Sequence, residues 1–261
     1  SIVTNGWFLT REVAEQLRDR KVSLVQITLD GPEAIHDQRR PLKGGGSTYQ
    51  RILTNLKAIK GVFDQVALRI NVDEANIDEV GSLYTDLKKN DLLDSITPYL
   101  GKVTPLTEAC ADIEPVCFDT ASFARAESQL LDDLRAKGIP APTPYPRFCG
   151  THCGVVRLNA YVIDPFGRMY KCWNVIGREE ESVGNIQENA AHGPVNDWWL
   201  SFEPMDIAEC RECNILPICA GGCPYYYYKG EHVSSGKPNC VSWRYLLDEH
   251  LQRSYQQWKA N

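Results

Sequence analysis

Over about the first hundred residues, short runs of β-branched and aliphatic residues alternate with stretches whose apolar positions recur every three or four residues. That alternation predicts βαβ units around a parallel sheet. Residues 2–4 (Ile-Val-Thr) read as a short strand, followed by an amphipathic helix over about residues 10–20. Residues 22–29 read as a second strand, and a loop over 30–46 leads to a helix from Ser47 whose apolar face is Tyr49, Ile52, Leu53, Leu56 and Ile59. A third strand covers 65–72, a third helix aligns Ile77, Val80, Leu83, Tyr84 and Leu87, and 95–100 reads as a fourth strand. Parallel neighbours need right-handed crossovers, so any site is expected at the C-terminal edge of the sheet.

The pattern then changes. Residues 101–118 are irregular, and 119–137 read as a long helix stopped by Gly138. The segment 139–146 carries four prolines in eight residues, which predicts a stiff extended linker and a domain boundary. The expected division is a first domain over 1–138, a linker over 139–148 and a second domain over 149–261. In the second, a hairpin is expected from 157–163 and 168–172 around the turn Asp164-Pro165-Phe166-Gly167, then cysteine-rich loops and a final helix over about 241–258.

Composition narrows the partners. With 28 Lys and Arg against 34 Asp and Glu, the formal charge of -6 argues against a nucleic-acid surface. At 43% hydrophobic, 261 residues can bury a substantial core, and no run approaches a membrane span. Residues 1–6 have neither the basic nor the apolar part of a secretory leader, and the missing initiator Met points to a processed or excerpted chain. Ten cysteines in 261 residues are too few for a small disulfide scaffold, so their spacing carries more than their number.

Eight of the ten follow the linker: Cys149-x3-Cys153, Gly167-x4-Cys172, Cys210-x2-Cys213-x5-Cys219-x3-Cys223, and Cys240. Thiolates two to five residues apart on turns converge on a soft metal centre, and the interleaved Gly, Pro and Asn supply the turns. Eight ligands make two sets of four. Scattered core thiols and disulfides fit this spacing poorly; zinc and iron-sulfur both fit it, since four thiolates do not separate the two.

Taken together, these intervals resemble the SPASM domain of radical S-adenosylmethionine enzymes. The upstream half is similar to strands three to five of their partial (β/α)6 barrel, through Thr4-Asn5-Gly6, residues 26–32 (QITLDGP), His36-Asp37, Arg39-Arg40 and residues 69–72 (RINV). The resemblance implies an α/β fold, a partial radical-S-adenosylmethionine-type barrel made of its later strands and then a small cysteine-rich α+β domain with a β-hairpin. It implies two auxiliary [4Fe-4S] clusters, the first on Cys149, Cys153, Cys172 and Cys223 and the second on Cys210, Cys213, Cys219 and Cys240. It further implies that Thr28 and Arg69 bind the S-adenosylmethionine carboxylate, chemistry that a hydroxyl and an Arg fork can perform.

The Cys-x3-Cys-x2-Cys triplet on which the family's radical chemistry depends is absent from these residues, as is the Gly-Gly-Glu segment, and no Cys precedes Cys110. The chain is therefore expected to correspond to a carboxy-terminal portion of such an oxidoreductase, incompetent by itself, with S-adenosylmethionine and a third cluster belonging to the complete enzyme. The implied substrate is a peptide or protein, served by an external electron donor, without nucleic acid or membrane, in a reducing cytoplasm. The alternative is a zinc- or cluster-stapled binding module with no chemistry of its own.

Where the family's sulfatase-maturing members place an Asp after the third SPASM cysteine, this chain has Trp173, which disfavours that activity. Four further readings are structural. His36, Asp37, Arg39 and Arg40 form a hydrogen-bonded latch, Cys110 and Cys117 are inert thiols, His152 is a turn residue, and residues 179–181 (Glu-Glu-Glu) form a solvated loop.

Overall fold

In a computed structural model, the chain divides into two compact units, Ser1–Pro142 and Thr143–Asn261. The structure describes residues 1–105, 108–141, 145–146, 148, 153–187, 190–228 and 240–260, without the side chains of 108–111, 190 and 260.

The first unit is a parallel sheet ordered β1 (Ile2–Thr4), β2 (Leu24–Thr28), β3 (Gln65–Val72), β4 (Thr97–Lys102). Its crossovers hold α1 (Arg11–Asp19), α3 (Tyr49–Ala58) and α4 (Val80–Lys89), and α5 (Thr120–Ala136) follows β4. Helix starts follow local chemistry: the Thr10 hydroxyl accepts the Val13 N–H at the head of α1, and the Asp119 carboxylate accepts the Ser122 N–H at the head of α5. Alternate residues of β3, Val66, Leu68, Ile70 and Val72, are buried, as are Leu83, Tyr84 and Leu87 of α4 and Ile52, Leu53 and Leu56 of α3. Among the described residues the contiguous core runs from Leu9 to Ile139 and takes no residue of the second unit.

One expectation is corrected here. Residues 30–46 are not all loop, because Glu33–Arg39 form a short helix, α2. Its seven residues are too few for the periodicity test that finds longer helices.

The second unit is built from small pieces. Strands β5 (Val162–Ile163), β6 (Arg168–Tyr170), β7 (Gly184–Asn185) and β8 (Ala190–Ala191) form an antiparallel meander. The hairpin turn is fastened by Asp164 Oδ1, which accepts the N–H groups of Phe166 at 2.8 Å and Arg168 at 3.0 Å. Helices α6 (Pro194–Leu200), α7 (Ala208–Arg211), α8 (Leu216–Cys219) and α9 (Pro224–Tyr228) follow, and α10 (Trp243–Ala260) closes the chain. The triple-Glu run is only partly a solvated loop: Glu181 is buried and accepts the Tyr228 hydroxyl at 2.8 Å.

Candidate functional site

In the first unit the pleat leaves one sheet face polar. Residues of that face pair across strands as Thr28 with Arg69, Arg69 with Tyr99, and Asn71 with Gly101. Thr28 and Arg69, expected from the sequence, are thus side by side in adjacent strands near the C-terminal edge. Arg69 Nε donates to Asn71 Oδ1 at 2.7 Å, and its guanidinium lies over Gly101, where a Cβ would come 2.7 Å from Nε and 2.8 Å from Nη2. Among the described residues Arg69 makes no ion pair with a carboxylate. Its charge is held by a neutral amide, which suits it to an arriving anion.

The latch takes the form its residues imply and extends further. Arg40 Nε meets Asp30 Oδ2 at 2.6 Å, and Arg39 Nη2 meets both oxygens of the buried Asp73 at 2.6 and 2.7 Å. His36 is fully buried and accepts the Asp30 N–H on Nδ1 at 3.1 Å. Burial, with Arg40 adding to it, lowers its pKa, so the imidazole is neutral. Burial raises the Asp37 carboxyl, but the N–H groups of Thr48 and Tyr49 and the Thr48 hydroxyl outweigh it and hold the pKa below its ordinary value. Asp30 Oδ1 accepts Asn71 Nδ2 at 3.1 Å, and Asn71 in turn holds Arg69. Arg40, Asp30, Asn71 and Arg69 therefore form one continuous chain of polar contacts. Sequence reading missed Asn71 and Gly101; the period of two that put Asn71 on the face of Arg69 was the available signal.

In the second unit the cysteines fall into two groups. Cys210, Cys213, Cys219 and Cys240 line one cavity with Ile215, Leu216, Gly221, Val241 and Arg244. Cys172 is instead within electrostatic reach of Cys223 and Cys153, and Cys223 of Cys153. Cys149 and His152 lie outside the described residues. None of the eight cysteines whose side chains are described, Cys117 among them, is in a disulfide.

Local backbone geometry aims donors at the sulfurs. After Cys219, Ala220, Gly221 and Gly222 all take left-handed conformations, with φ of 52°, 82° and 76°. That run turns the N–H groups of Gly221 and Gly222 onto the Cys219 sulfur, which also accepts the N–H of Val241. Gly221 has no substitute, since a Cβ there would lie 2.6 Å from Pro204. The N–H groups of Tyr225 and Tyr226 reach Cys223, and that of Asn174 reaches Cys172. Burial pushes the Cys172 thiol up to about 11 and raises Cys210, Cys219 and Cys223. Metal-free, these groups are neutral thiols; a metal held by them would deprotonate them, and the surrounding N–H groups would then face thiolates.

Among the described residues no group of three or more His, Cys, Asp or Glu side chains is gathered as a single metal ion would need. Thiolates on one zinc would stand about 3.8 Å apart, from Zn–S bonds of about 2.3 Å. A cluster carries its four irons at separate corners and holds its ligands wider apart.

No family model matches the chain. It is 29% identical over 258 residues to the mycofactocin maturase MftC of Mycolicibacterium smegmatis, an alignment covering 91% of this chain and 62% of that protein. The fold is that of anSMEcpe with bound AdoMet, at a TM-score of 0.65 and 18% identity, covering 97% of this chain and 74% of that one. It is also that of Streptococcus suis SuiB bound to the precursor peptide SuiA, at a TM-score of 0.61 and 15% identity, covering 87% and 55%. The chain thus spans 62% of the length of MftC. These homologues are radical S-adenosylmethionine/SPASM enzymes, in agreement with the resemblance carried by the cysteine intervals.

Proposed function

We propose that this chain forms the substrate-cavity and auxiliary-cluster portion of a radical S-adenosylmethionine maturase whose substrate is a peptide or protein. What carries the reading is the grouping of the thiols: Cys210, Cys213, Cys219 and Cys240 line one cavity, while Cys153, Cys172 and Cys223 gather elsewhere. The first four hold one [4Fe-4S] cluster, and the other three with Cys149 hold a second. When bound, such clusters supply sites that take up or give back single electrons at low potential. Peptide specificity is supported by the relatives, a mycofactocin maturase and SuiB in complex with a precursor peptide.

This chain's own residues have distinct tasks. Arg69, steadied by Asn71 and lying over Gly101, meets the carboxylate of S-adenosylmethionine, with the Thr28 hydroxyl as its neighbour. The latch through Asp30 and Arg40 keeps Asn71, and hence Arg69, in register with the sheet edge. The N–H groups at Cys219, Cys223 and Cys172 stabilise ligating thiolates. Trp173, 74% exposed beside Cys172, offers no carboxylate to take a substrate proton, which disfavours a sulfatase as the substrate. An external donor supplies the reducing electron, and a reducing cytoplasm is the compartment in which the clusters persist.

The test compares two polypeptides under identical anaerobic conditions with S-adenosylmethionine and a strong reductant. The complete gene product, supplying the Cys-x3-Cys-x2-Cys triplet, is expected to release 5′-deoxyadenosine. The 261 residues alone, which contain no such triplet, are expected to release none. Turnover by the 261 residues would mean that one of the eight ligands is misassigned and leaves an iron open.

A further inference from the structure

One charged side chain in the second unit touches a thiol directly and has no part in the reading so far. Arg244, in the first turn of α10, lies four residues after Cys240, and its Nη1 donates to Cys240 Sγ at 3.3 Å. The same residue edges the cavity lined by Cys210, Cys213 and Cys219, and Cys213 is near enough to bear on its charge. Among the described residues Arg244 forms no ion pair, so its charge is not spent on a carboxylate.

The other group of thiols has no such guanidinium among the contacts of its described residues. Cys172 is in reach of the buried Glu181 carboxylate. The neighbouring ammonium of Lys171 is turned away, donating to the Arg157 carbonyl at 2.6 Å and the Ala160 carbonyl at 3.4 Å. Cys210 of the first group is itself in reach of the Glu209 carboxylate, so what sets that group apart is the guanidinium hydrogen-bonded to a ligand sulfur.

A hydrogen bond from a cation to a ligating sulfur stabilises the more negative, reduced form of a cluster and raises its potential. A guanidinium keeps its proton at every pH at which a protein is folded, so the contribution is constant. Resting on the cluster reading above, we propose that Arg244 is a positioning residue for the cluster held by Cys210, Cys213, Cys219 and Cys240. Through its hydrogen bond to Cys240 it fixes that ligand and sets the cluster's reduction potential higher than the four thiolates alone would give.

The experiment is a redox titration of the complete gene product, followed by electron paramagnetic resonance, for wild type, R244K, R244M and R244Q. Iron and sulfide are measured in each, and the signal missing from Cys210→Ser identifies the cluster in question. Iron and sulfide are expected to match in all four proteins, with that signal moved to more negative potential in R244M and R244Q. R244K, which keeps the charge, is expected to stay closer to wild type than either. An unmoved potential in R244M and R244Q overturns the inference, and so does an equal shift in R244K, since charge is the named cause. If wild type and Cys210→Ser carry the same iron, no cluster exists at these cysteines, and the reading on which the inference rests falls with it.

Discussion

The two units of this chain are held together by different means. The first buries a contiguous apolar layer under a four-stranded parallel sheet, with Leu68, Ile70, Leu83 and Leu87 fully enclosed. The second has strands of two or three residues and helices of four to seven before its last, and its buried residues, such as Val155, Val175, Trp199 and Ile207, do not join that layer. Elements so short carry little apolar area each, and on the proposed reading the thiols add folding free energy through metal. Perturbing metal should strike the second unit, and perturbing packing the first.

The largest effect is expected from Cys213→Ser. It should remove the iron and sulfide of one cluster and expose the residues after Pro146 to protease, while the first unit melts as in wild type. Loss of the first unit's transition as well would contradict a division between packing and metal.

Leu68→Ala should do the reverse. With no exposed surface at Leu68, the truncation is expected to cost about 2–5 kcal/mol in the first unit and leave iron content unchanged. Calorimetry with an iron assay on the same sample separates the two outcomes. A smaller loss, about 1–3 kcal/mol, is expected in the second unit from Gly221→Ala, where φ is +82° and a Cβ would lie 2.6 Å from Pro204. That variant should also weaken retention of iron by the group containing Cys219, whose sulfur receives the Gly221 N–H.

Gly101→Ala sharpens the comparison within the first unit by testing site rather than packing. The nearest atoms to its Cβ are Nε, Nη2 and Cζ of Arg69, the far end of a side chain, so the unit should keep its melting temperature while the guanidinium is displaced. In the complete gene product, S-adenosylmethionine affinity should fall by about tenfold, roughly 1.4 kcal/mol, as read by equilibrium dialysis; unchanged affinity would remove Arg69 from the proposed site.

A pH-dependent effect concerns Glu127 of α5, whose pKa burial raises from 4.5 to about 7. A group with a raised folded-state pKa contributes most while it is protonated in both states, below about 4.5, and that contribution is lost as pH rises toward 7. Glu127→Gln should therefore leave the first unit's melting temperature near that of wild type at pH 4 and raise it at pH 8. A wild-type curve as flat as the variant's would show that Glu127 is solvated.

The same division explains what could be read from the chain. In the first unit, Val66, Leu68, Ile70 and Val72 alternate strictly with half-exposed partners, and the third strand is found at the residues expected, 65–72. Helix α2 escaped because it is a short element set by polar latching, with His36 buried and hydrogen-bonded to the Asp30 N–H. In the second unit, β7 and β8 of two residues each left no periodic signal. The cysteine intervals were legible because turns of fixed length dictate them. The partners of those thiols were not: Arg244 reads as an ordinary helical surface residue until its position four residues after Cys240 is set beside a ligand role.

The chemistry proposed for the second unit requires that its thiols hold two iron-sulfur clusters. Chemical analysis of the anaerobically prepared 261-residue chain, combined with Mössbauer spectroscopy, decides it. The expected result is a brown protein with about eight irons and about eight sulfides per chain, all in [4Fe-4S] form, because eight thiolates make two sets of four ligands. A colourless, folded protein carrying stoichiometric zinc and no sulfide would contradict it, and would make the second unit a zinc-stapled binding module.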